Sequence, residues 1–357
     1  MRALVVQWNR LANNSAWRNP SFEPNFLIPA FKHLGDTKVK ILVVFDENAV
    51  SEDDKLVGLI PFRKKRIFHL PISTLEVWKH EQCFDSTPLL RTEHKNEVWK
   101  VCCDFLRNEG VGLLSLDTVS AESDFNEVIE DGLSESHYGV FQKKLFERAA
   151  FRPLNSSEEY SKEFISKNAR KGFRRQNRRL SELGDVTFER STSGSDFDWL
   201  ADEFLSLEAS GWKGNDRTAL ACNVCTSNFY RELVRESANA GKARFLTLRL
   251  NGNPIAMLSD IQSGQTVYSY KTAFNEEFAD YSPGIQVEFK NIDFLHADGI
   301  QLADSCTSSD NSAINRIWGQ SLKFQDLVIA LKPGIPRFVT SVLPTFQSIV
   351  RHIKRKK

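Results

Sequence analysis

The sequence has few cysteines and no long apolar run. Six cysteines are spread over 357 residues, and Cys102 and Cys103 are adjacent. This spacing does not suit a disulfide framework, so we expect reduced thiols in a cytoplasmic protein. The opening "MRALVVQW" carries an apolar run too short for the core of a signal peptide. No segment reaches the ~20 apolar residues that a membrane-spanning helix needs.

An excess of charge of one sign is also absent. The formal net charge is +1, so a polyanion would have to meet a local basic patch. "CNVC" at 222–225 has the spacing of metal ligands, but no second pair of ligands completes a set of four, so we predict no metal site. We also find no nucleophile elbow, Walker loop or paired-glycine dinucleotide signature.

Length and composition indicate two globular domains. Apolar residues make up 41% of the chain and charged residues 26%, which suits a protein with a full core. Strand and helix signals alternate up to residue 150, and the polar linker "RPLNSS" follows. We therefore predict an α/β fold with mixed sheets, in which a first domain covers 1–150, a second covers 151–335 and a basic tail covers 336–357.

The second domain contains the clearest pattern in the sequence. Residues 243–274, "ARFLTLRLNGNPIAMLSDIQSGQTVYSYKTAF", predict three strands joined by tight turns at "NGN" and "SGQ". "YSPGI" at 281–285 comes next, followed by a predicted helix and the strand "GIQLAD". The order is thus three antiparallel strands, a Pro-Gly step, a helix and a strand.

This order resembles the acetyltransferase-like domain of the GNAT superfamily, in the branch associated with cellulose and exopolysaccharide biosynthesis. The resemblance covers residues 151–335 and rests on four stretches: "SKNARKGFRRQNRRLSELGDVTFE" (166–189), "LSLEASGWKG" (205–214), "RLNGNPIAMLSDIQSGQTVYSYKTAFNEEFADYSPG" (249–284) and "HADGIQLADS" (296–305). The branch is related to Fem-type transferases, which carry two GNAT-like folds in one chain. The resemblance therefore implies two tandem GNAT-like domains, with a degenerate first copy in which "FDSTPLL" (84–90) is similar to a segment of that half.

The resemblance implies an acyltransferase that moves an acyl group from acyl-coenzyme A to an amine or hydroxyl of a sugar or polysaccharide precursor, without a metal. The usual donor signature has an Arg or Gln and at least two glycines before the helix, whereas only "YSPGI" stands here. Ser282, Pro283, Gly284 and Ile285 would hold the donor's phosphates at the helix N-terminus. The alternative is an ordinary strand-to-helix turn with proline in the first turn.

Three residues are candidates for the chemistry. Tyr270 and Lys271 lie on the strand before "YSPGI" and would line the acyl channel, with Lys271 beside a phosphate or an oxyanion; the alternative is a solvated strand face. Asp304 ends a strand and would be the base that takes the acceptor's proton; the alternative is a turn aspartate. His296 is a competing base, for which packing in the core is the simpler explanation.

A dense run of cations and one tryptophan are candidates for acceptor binding. Arg170, Arg174 and Arg178 are spaced four apart and form one helical stripe, which we expect to bind the anionic part of the acceptor. Lys171, Arg175 and Arg179 form the next stripe. The alternative is a solvated helix face. Trp212 would contact the substrate, or else pack in the core.

The tail combines an apolar stripe with a basic end. Its apolar residues are Val339, Val342, Phe346, Ile349 and Ile353, and five basic residues follow between 351 and 357. Such a helix can lie on the inner face of an anionic membrane, or pack on the protein. Two other functions stay open: a Fem-like transferase that uses aminoacyl-tRNA, with the Arg-rich helix as its RNA contact, and a non-catalytic GNAT-fold protein that holds a polymer or a membrane.

Overall fold

The computed structural model describes residues 2–35, 38–65, 72–136, 139–307, 311, 313–338 and 340. The chain divides into two units. The first comprises Met1–Leu27, Gly35–Phe146 and Lys323–Lys357, and the second comprises Ile28–Leu34 and Glu147–Leu322. The tail predicted at 336–357 lies almost wholly outside the described residues, so its amphipathic helix stays a prediction.

Helices and strands alternate along the chain. The helices are α1 (Arg2–Asn13), α2 (Pro24–His33), α3 (Lys95–Asn108), α4 (Phe125–Ser136), α5 (Ser157–Phe164), α6 (Lys167–Ser181), α7 (Phe197–Ser210), α8 (Trp212–Asn215), α9 (Val224–Asn239) and α10 (Pro283–Ala297). The strands are β1 (Lys40–Phe45), β2 (Leu56–Lys65), β3 (Thr74–Val77), β4 (Leu89–Leu90), β5 (Leu113–Ser120), β6 (Gly139–Phe151), β7 (Val186–Arg190), β8 (Ala243–Leu250), β9 (Asn253–Ser263), β10 (Thr266–Phe274), β11 (Leu302–Asp304) and β12 (Gln320–Ala330).

The first unit has a mixed sheet in which β1, β2 and β3 pair antiparallel. After helix α3 the chain forms β5, which pairs parallel with β3. β12 pairs antiparallel with β5 from Phe324 to Ala330, so these residues belong to the first unit. They fall within 151–335, the range predicted for the second domain, because a strand that returns to a distant partner leaves no local signal in the sequence.

The second unit repeats this arrangement. β7, β8, β9 and β10 pair antiparallel, and after helix α10 the chain forms β11, which pairs parallel with β10. The turn between β8 and β9 has Asn251 at φ 51° and Gly252 at φ 80°, as the sequence "NGN" predicts for a tight hairpin. The mixed α/β fold predicted from the sequence is confirmed. Each unit contains antiparallel strands, a helix and then a strand parallel to the last of them.

Helix α10 is anchored by apolar contacts along its length. Val287 packs in a cluster with the leucines of β8 and β9. Ile292 and Leu295 pack in a second cluster with Phe151 and Trp318. All five of these side chains are buried, with at most 2% of each residue exposed. This packing places the N-terminus of α10 beside the end of β10.

Strand β10 is irregular where it approaches that N-terminus. Its pairing with β9 shifts between Tyr268, opposite Ile261, and Lys271, opposite Ser259, so β10 holds one more residue than β9 across this interval. Such a bulge redirects side chains and is frequent near active sites. Parallel pairing with β11 ends at Tyr268, opposite Asp304, and β10 extends beyond β11 from Ser269 onward.

Two absences hold within the described ranges. No helix there is both long and apolar enough to cross a membrane. No cluster of three or more His, Cys, Asp or Glu side chains there could hold a metal ion, and Cys222 and Cys225 are exposed free thiols.

Two glycines of the second unit should respond in opposite ways to alanine. A Cβ at Gly319 would lie 2.5 Å from Phe164 Cδ1, whereas a Cβ at Gly172 in α6 would meet nothing within 4 Å. We expect Gly319→Ala to lower the free energy of unfolding by about 1–3 kcal/mol through overpacking. Gly172→Ala should raise it by about 0.5–1 kcal/mol, because alanine leaves the unfolded chain less backbone freedom to lose when the helix forms. Hydrogen exchange of the second unit measures both effects, and equal effects would contradict the packing at Gly319.

Candidate functional site

A cavity of about 560 Å³ lies in the second unit where β10 extends beyond β11. Its walls come from β10, the start of α10, the start of α8 and the segment after β11. It is lined by seven of the residues predicted from the sequence: Trp212, Tyr270, Lys271, Ser282, Pro283, Gly284 and Ile285. The tertiary structure therefore brings the predicted donor residues and two of the three predicted catalytic residues to one place.

The N-terminus of α10 lines this cavity without a side-chain cap, and the N–H groups of Ile285 and Gln286 both donate to the carbonyl of Ser282. Ser282 is the N-cap, in a left-handed conformation with φ 50° and ψ 54°, and its side chain makes no hydrogen bond to the first turn. The hydroxyl instead accepts a hydrogen bond from Gln176 Nε2 at 2.9 Å. Pro283 has no N–H to satisfy. The positive end of the helix dipole is thus not capped by the Ser282 side chain and can meet an anion.

Gly284 is also needed for packing. A Cβ at this position would lie 3.2 Å from Phe274 Cδ1, at the end of β10. A larger side chain would therefore press on a residue that lines the cavity. Both interpretations of this glycine, close packing and close approach of a ligand, agree with the structure.

Two lysines in the cavity differ in their charge balance. Lys213 Nζ donates to Glu208 Oε1 at 3.0 Å and to the carbonyl of Thr272 at 3.2 Å. Lys271 Nζ lies 5.7 Å from the centroid of the Tyr270 ring. Burial is the main cause that lowers the pKa of Lys271; Glu208 opposes this effect and Lys213 adds to it. The protonated form of Lys271 is therefore poorly stabilised in the protein, and an anionic ligand beside it would stabilise that form.

Glu288 is the functional candidate that sequence reasoning missed. It lies on the buried side of α10 and lines the cavity, with 7% of the residue exposed. Its Oε1 accepts from Thr272 Oγ1 at 3.1 Å, and no described residue is hydrogen-bonded to its Oε2. Burial, together with the smaller effect of the neighbouring Asp260, raises the pKa of Glu288 to about 8. A carboxyl group with this pKa can accept a proton near neutral pH.

Asp304 lies outside the cavity lining. It is 2% exposed, and it accepts hydrogen bonds from Arg148 Nη2 and from the backbone N–H of Cys306. Arg148 is itself 4% exposed, so the two form a buried ion pair between β6 and β11. His296 is also remote from the cavity lining, and its ring packs edge-on against Phe151.

The three arginines predicted to bind the acceptor, Arg170, Arg174 and Arg178, do not line the cavity. A neighbouring groove of about 520 Å³ is lined by Arg175, from the second stripe of α6, and by Arg316. Ser282 and Ile285 line both the groove and the cavity. Besides Lys213 and Lys271 of the cavity, the cations that share a lining with the start of α10 therefore come from the second stripe and from the segment before β12.

Comparison with known proteins agrees with this arrangement. Residues 167–311 match the sequence profile of the acetyltransferase (GNAT) domain family. The chain has a GNAT-type fold. No curated protein sequence matches the chain.

Solved structures of other proteins are similar in fold over both units. The crystal structure of FemX is similar with a TM-score of 0.58 and 10% identity, over 90% of this chain and 95% of that chain. The C-terminal domain of a putative lysylphosphatidylglycerol synthetase from Agrobacterium fabrum has a TM-score of 0.58 and 11% identity, over 96% and 97%. At such low identity these similarities concern the fold alone. The predicted GNAT and Fem-type resemblance is confirmed at that level, and the polysaccharide branch stays a prediction.

The buried pair predicts what Asp304 does. We expect Asp304→Asn to lower the free energy of unfolding by about 3–5 kcal/mol, because it removes the buried carboxylate that neutralises the charge of Arg148. The double variant Arg148→Met/Asp304→Leu removes both charges and should recover most of that loss. Urea denaturation of the wild-type protein, the single variant and the double variant measures these free energies of unfolding. An Asp304→Asn variant of normal stability that has lost transfer activity would instead favour the catalytic role predicted from the sequence.

Proposed function

We propose that this protein transfers an acyl group from acyl-coenzyme A to an amine or hydroxyl of a sugar or polysaccharide precursor. The observation that carries the proposal is that one cavity of the GNAT-type domain contains both a helix N-terminus without a side-chain cap and Glu288, a carboxyl group with a pKa of about 8. The first suits the phosphates of the donor and the second suits the proton of the acceptor.

The residues around the start of α10 fit the donor. Its pyrophosphate would bind at the N-terminus of α10, next to Arg175 and Arg316 in the adjoining groove. β10 extends beyond β11 from Ser269, so its backbone N–H and C=O groups on that side are free of β11 and can bind an extended amide chain. The pantetheine arm, which contains two amides, would run along this edge toward Lys271.

Glu288 would act as the base. Its Oε2 takes a proton from the attacking amine or hydroxyl as the acceptor's nitrogen or oxygen bonds to the acyl carbon. The carbon–sulfur bond then breaks, and coenzyme A leaves as the thiolate, which takes up a proton. Lys271 would stabilise the oxyanion of the intermediate, and Tyr270 would shape the acyl channel. The attack is direct, so positioning supplies much of the acceleration and no nucleophilic side chain is needed.

Trp212 and the branch resemblance support a sugar acceptor. Trp212 lines the cavity and is 51% exposed, so its ring is available to a ligand. An aromatic face of this kind suits the apolar face of a sugar ring. The resemblance to the exopolysaccharide branch implies the same class of acceptor.

A second candidate function, transfer from aminoacyl-tRNA, has its own supporting observation. Exposed cations follow one another along α6, and Arg174 and Arg175 are both exposed. One of the similar structures is named as a lysylphosphatidylglycerol synthetase, a name that specifies an aminoacylated product. Binding of tRNA with a steep dependence on salt, together with no binding of acetyl-coenzyme A, would favour this function over the first.

Glu288 predicts the pH dependence of the reaction. We expect kcat/KM for an amine acceptor that is itself uncharged across the range to rise with pH toward an apparent pKa of about 8, as Glu288 loses its proton. Glu288→Gln should remove that rise and lower kcat by about 100-fold or more.

The free energy of unfolding should fall, not rise, as the pH increases. Because the folded-state pKa is raised, the contribution of Glu288 is full below its ordinary pKa and is lost as the pH rises through about 8. A pH profile unchanged in Glu288→Gln would exclude Glu288 as the base.

Arg175 predicts how the donor is held. Isothermal titration with acetyl-coenzyme A should show about 10-fold weaker binding for Arg175→Ala, because a charge-assisted contact to phosphate is lost. Arg174→Ala is the matched control, since Arg174 is the adjacent exposed arginine and does not line the groove. Equal weakening in both variants would indicate general electrostatic attraction. No binding by the wild-type protein would reject coenzyme A as the donor carrier.

A further inference from the structure

We call the cavity at the start of α10, which contains Lys271 and Glu288, the reaction cavity. A second cavity, of about 760 Å³, lies at the opposite end of α10. It is lined by the start of β8, the end of β9, the end of α9, the C-terminal part of α10 and the segment that joins β7 to α7. Asp298, at the C-terminus of α10, is 14 residues beyond Gly284, which corresponds to about 21 Å along the helix axis. We propose that this second cavity binds a neutral carbohydrate unit.

Asp260 is the observation that points to a ligand. It lies on β9, lines the second cavity and is 4% exposed. The side chains of Asn291, whose Nδ2 donates to Oδ2 at 3.4 Å, and Ser269 stabilise this carboxylate, whereas its Oδ1 has no hydrogen-bond partner among the described residues. An unpaired buried acceptor is costly unless a partner is supplied. A ligand donor that enters the cavity would supply it.

The charges around Asp260 exclude a strongly ionic ligand. Arg190 and Arg244 both donate to Asp298 at 2.7 Å, and Arg235 donates to Asp198 at 3.0 Å. The arginines are thus already paired, which disfavours phosphate. Arg244 also lies opposite Asp260 in the β8–β9 register, which disfavours a ligand cation beside that carboxyl. A neutral ligand with hydroxyl donors satisfies both conditions.

The remaining lining suits a sugar. Hydroxyl and amide side chains that can bond to sugar hydroxyls are contributed by Ser191, Thr192, Ser193, Ser195, Asn239 and Gln262. Phe197 and Phe245 form a tilted pair with centroids 6.2 Å apart, and both line the cavity. The partly exposed Phe197 ring can meet the apolar face of a pyranose, and Phe245, which is 3% exposed, packs against it. The volume lies within the usual range for small-molecule sites, about 300–1,000 Å³.

A sugar site at the second cavity could also hold the acceptor, and this step rests on the proposed function. If the acceptor is part of a polysaccharide, a sugar bound at the second cavity would hold another unit of the same chain. Two linked sites raise the effective concentration of the acceptor at the reaction cavity. Carbohydrate binding at the second cavity does not itself require the protein to be an enzyme.

The test is a titration of the full chain with cellobiose and, separately, with N,N′-diacetylchitobiose, followed by isothermal calorimetry. We expect saturable binding of at least one disaccharide. Ser193→Trp places a bulky ring at an exposed lining residue and should weaken binding at least 10-fold without disturbing the core. Asp260→Leu removes the buried acceptor and should weaken it similarly. Ser206→Trp, on an exposed part of α7 outside the lining, is the matched control and should bind normally.

Three results would overturn the proposal: no saturable binding of either disaccharide, binding that Ser193→Trp leaves unchanged, or preferential binding of inorganic phosphate at the same site. Acetyl-coenzyme A titrations of the same proteins separate this failure from failure of the proposed function. Normal acetyl-coenzyme A binding without disaccharide binding would reject only the carbohydrate site. Disaccharide binding blocked by Ser193→Trp, without acetyl-coenzyme A binding, would reject only the acyl-coenzyme A donor.

Discussion

The packing of α10 is the constraint on which both cavities of the second unit depend. Val287, Ile292 and Leu295 are buried against the sheet and the neighbouring core, so the helix cannot shift without exposing all three. Its N-terminus is thereby held beside the irregular end of β10, and its C-terminus is held beside β8 and β9. One rigid element thus positions the proposed reaction cavity and the proposed carbohydrate cavity at a fixed separation.

Helix α10 also buries polar residues against the sheet, and their burial lowers the stability of the protein. Glu288 and Asn291 are on its buried side, where they meet Thr272 and Asp260. Burial raises the pKa of Glu288 to about 8 and that of Asp260 to about 6, because the charged forms are poorly solvated there. Apolar residues at these positions would avoid the free-energy cost of removing polar and charged groups from water. Perturbed carboxyl groups in a cavity are the pattern expected of a functional site, and here the catalytic and ligand-binding proposals each use one of them.

The two units share one plan but differ in what they retain of it. The parallel pair β3–β5 joins residues 74–76 to 113–115, and the parallel pair β10–β11 joins 266–268 to 302–304, so both pairings are three residues long. The helix between the strands differs: α10 begins with Pro283 and Gly284, whereas α3 begins with Lys95 and has neither residue in its first turn. This difference agrees with the expectation that the first copy is degenerate, which stays a prediction.

Local sequence determined the elements whose signals are short-range. The turn "NGN" formed as predicted, and Ser156 caps α5 by accepting from the N–H of Glu159; each feature depends on a few adjacent residues. Tertiary structure alone decided that Glu288 is buried beside the cavity, that Asp304 is paired with Arg148, and that β12 returns to β5. These outcomes depend on contacts between residues far apart in the chain: Arg148 and Asp304 are 156 positions apart. No periodicity or turn signal in the sequence indicates such a pairing, because the two residues come together only when the whole core has packed.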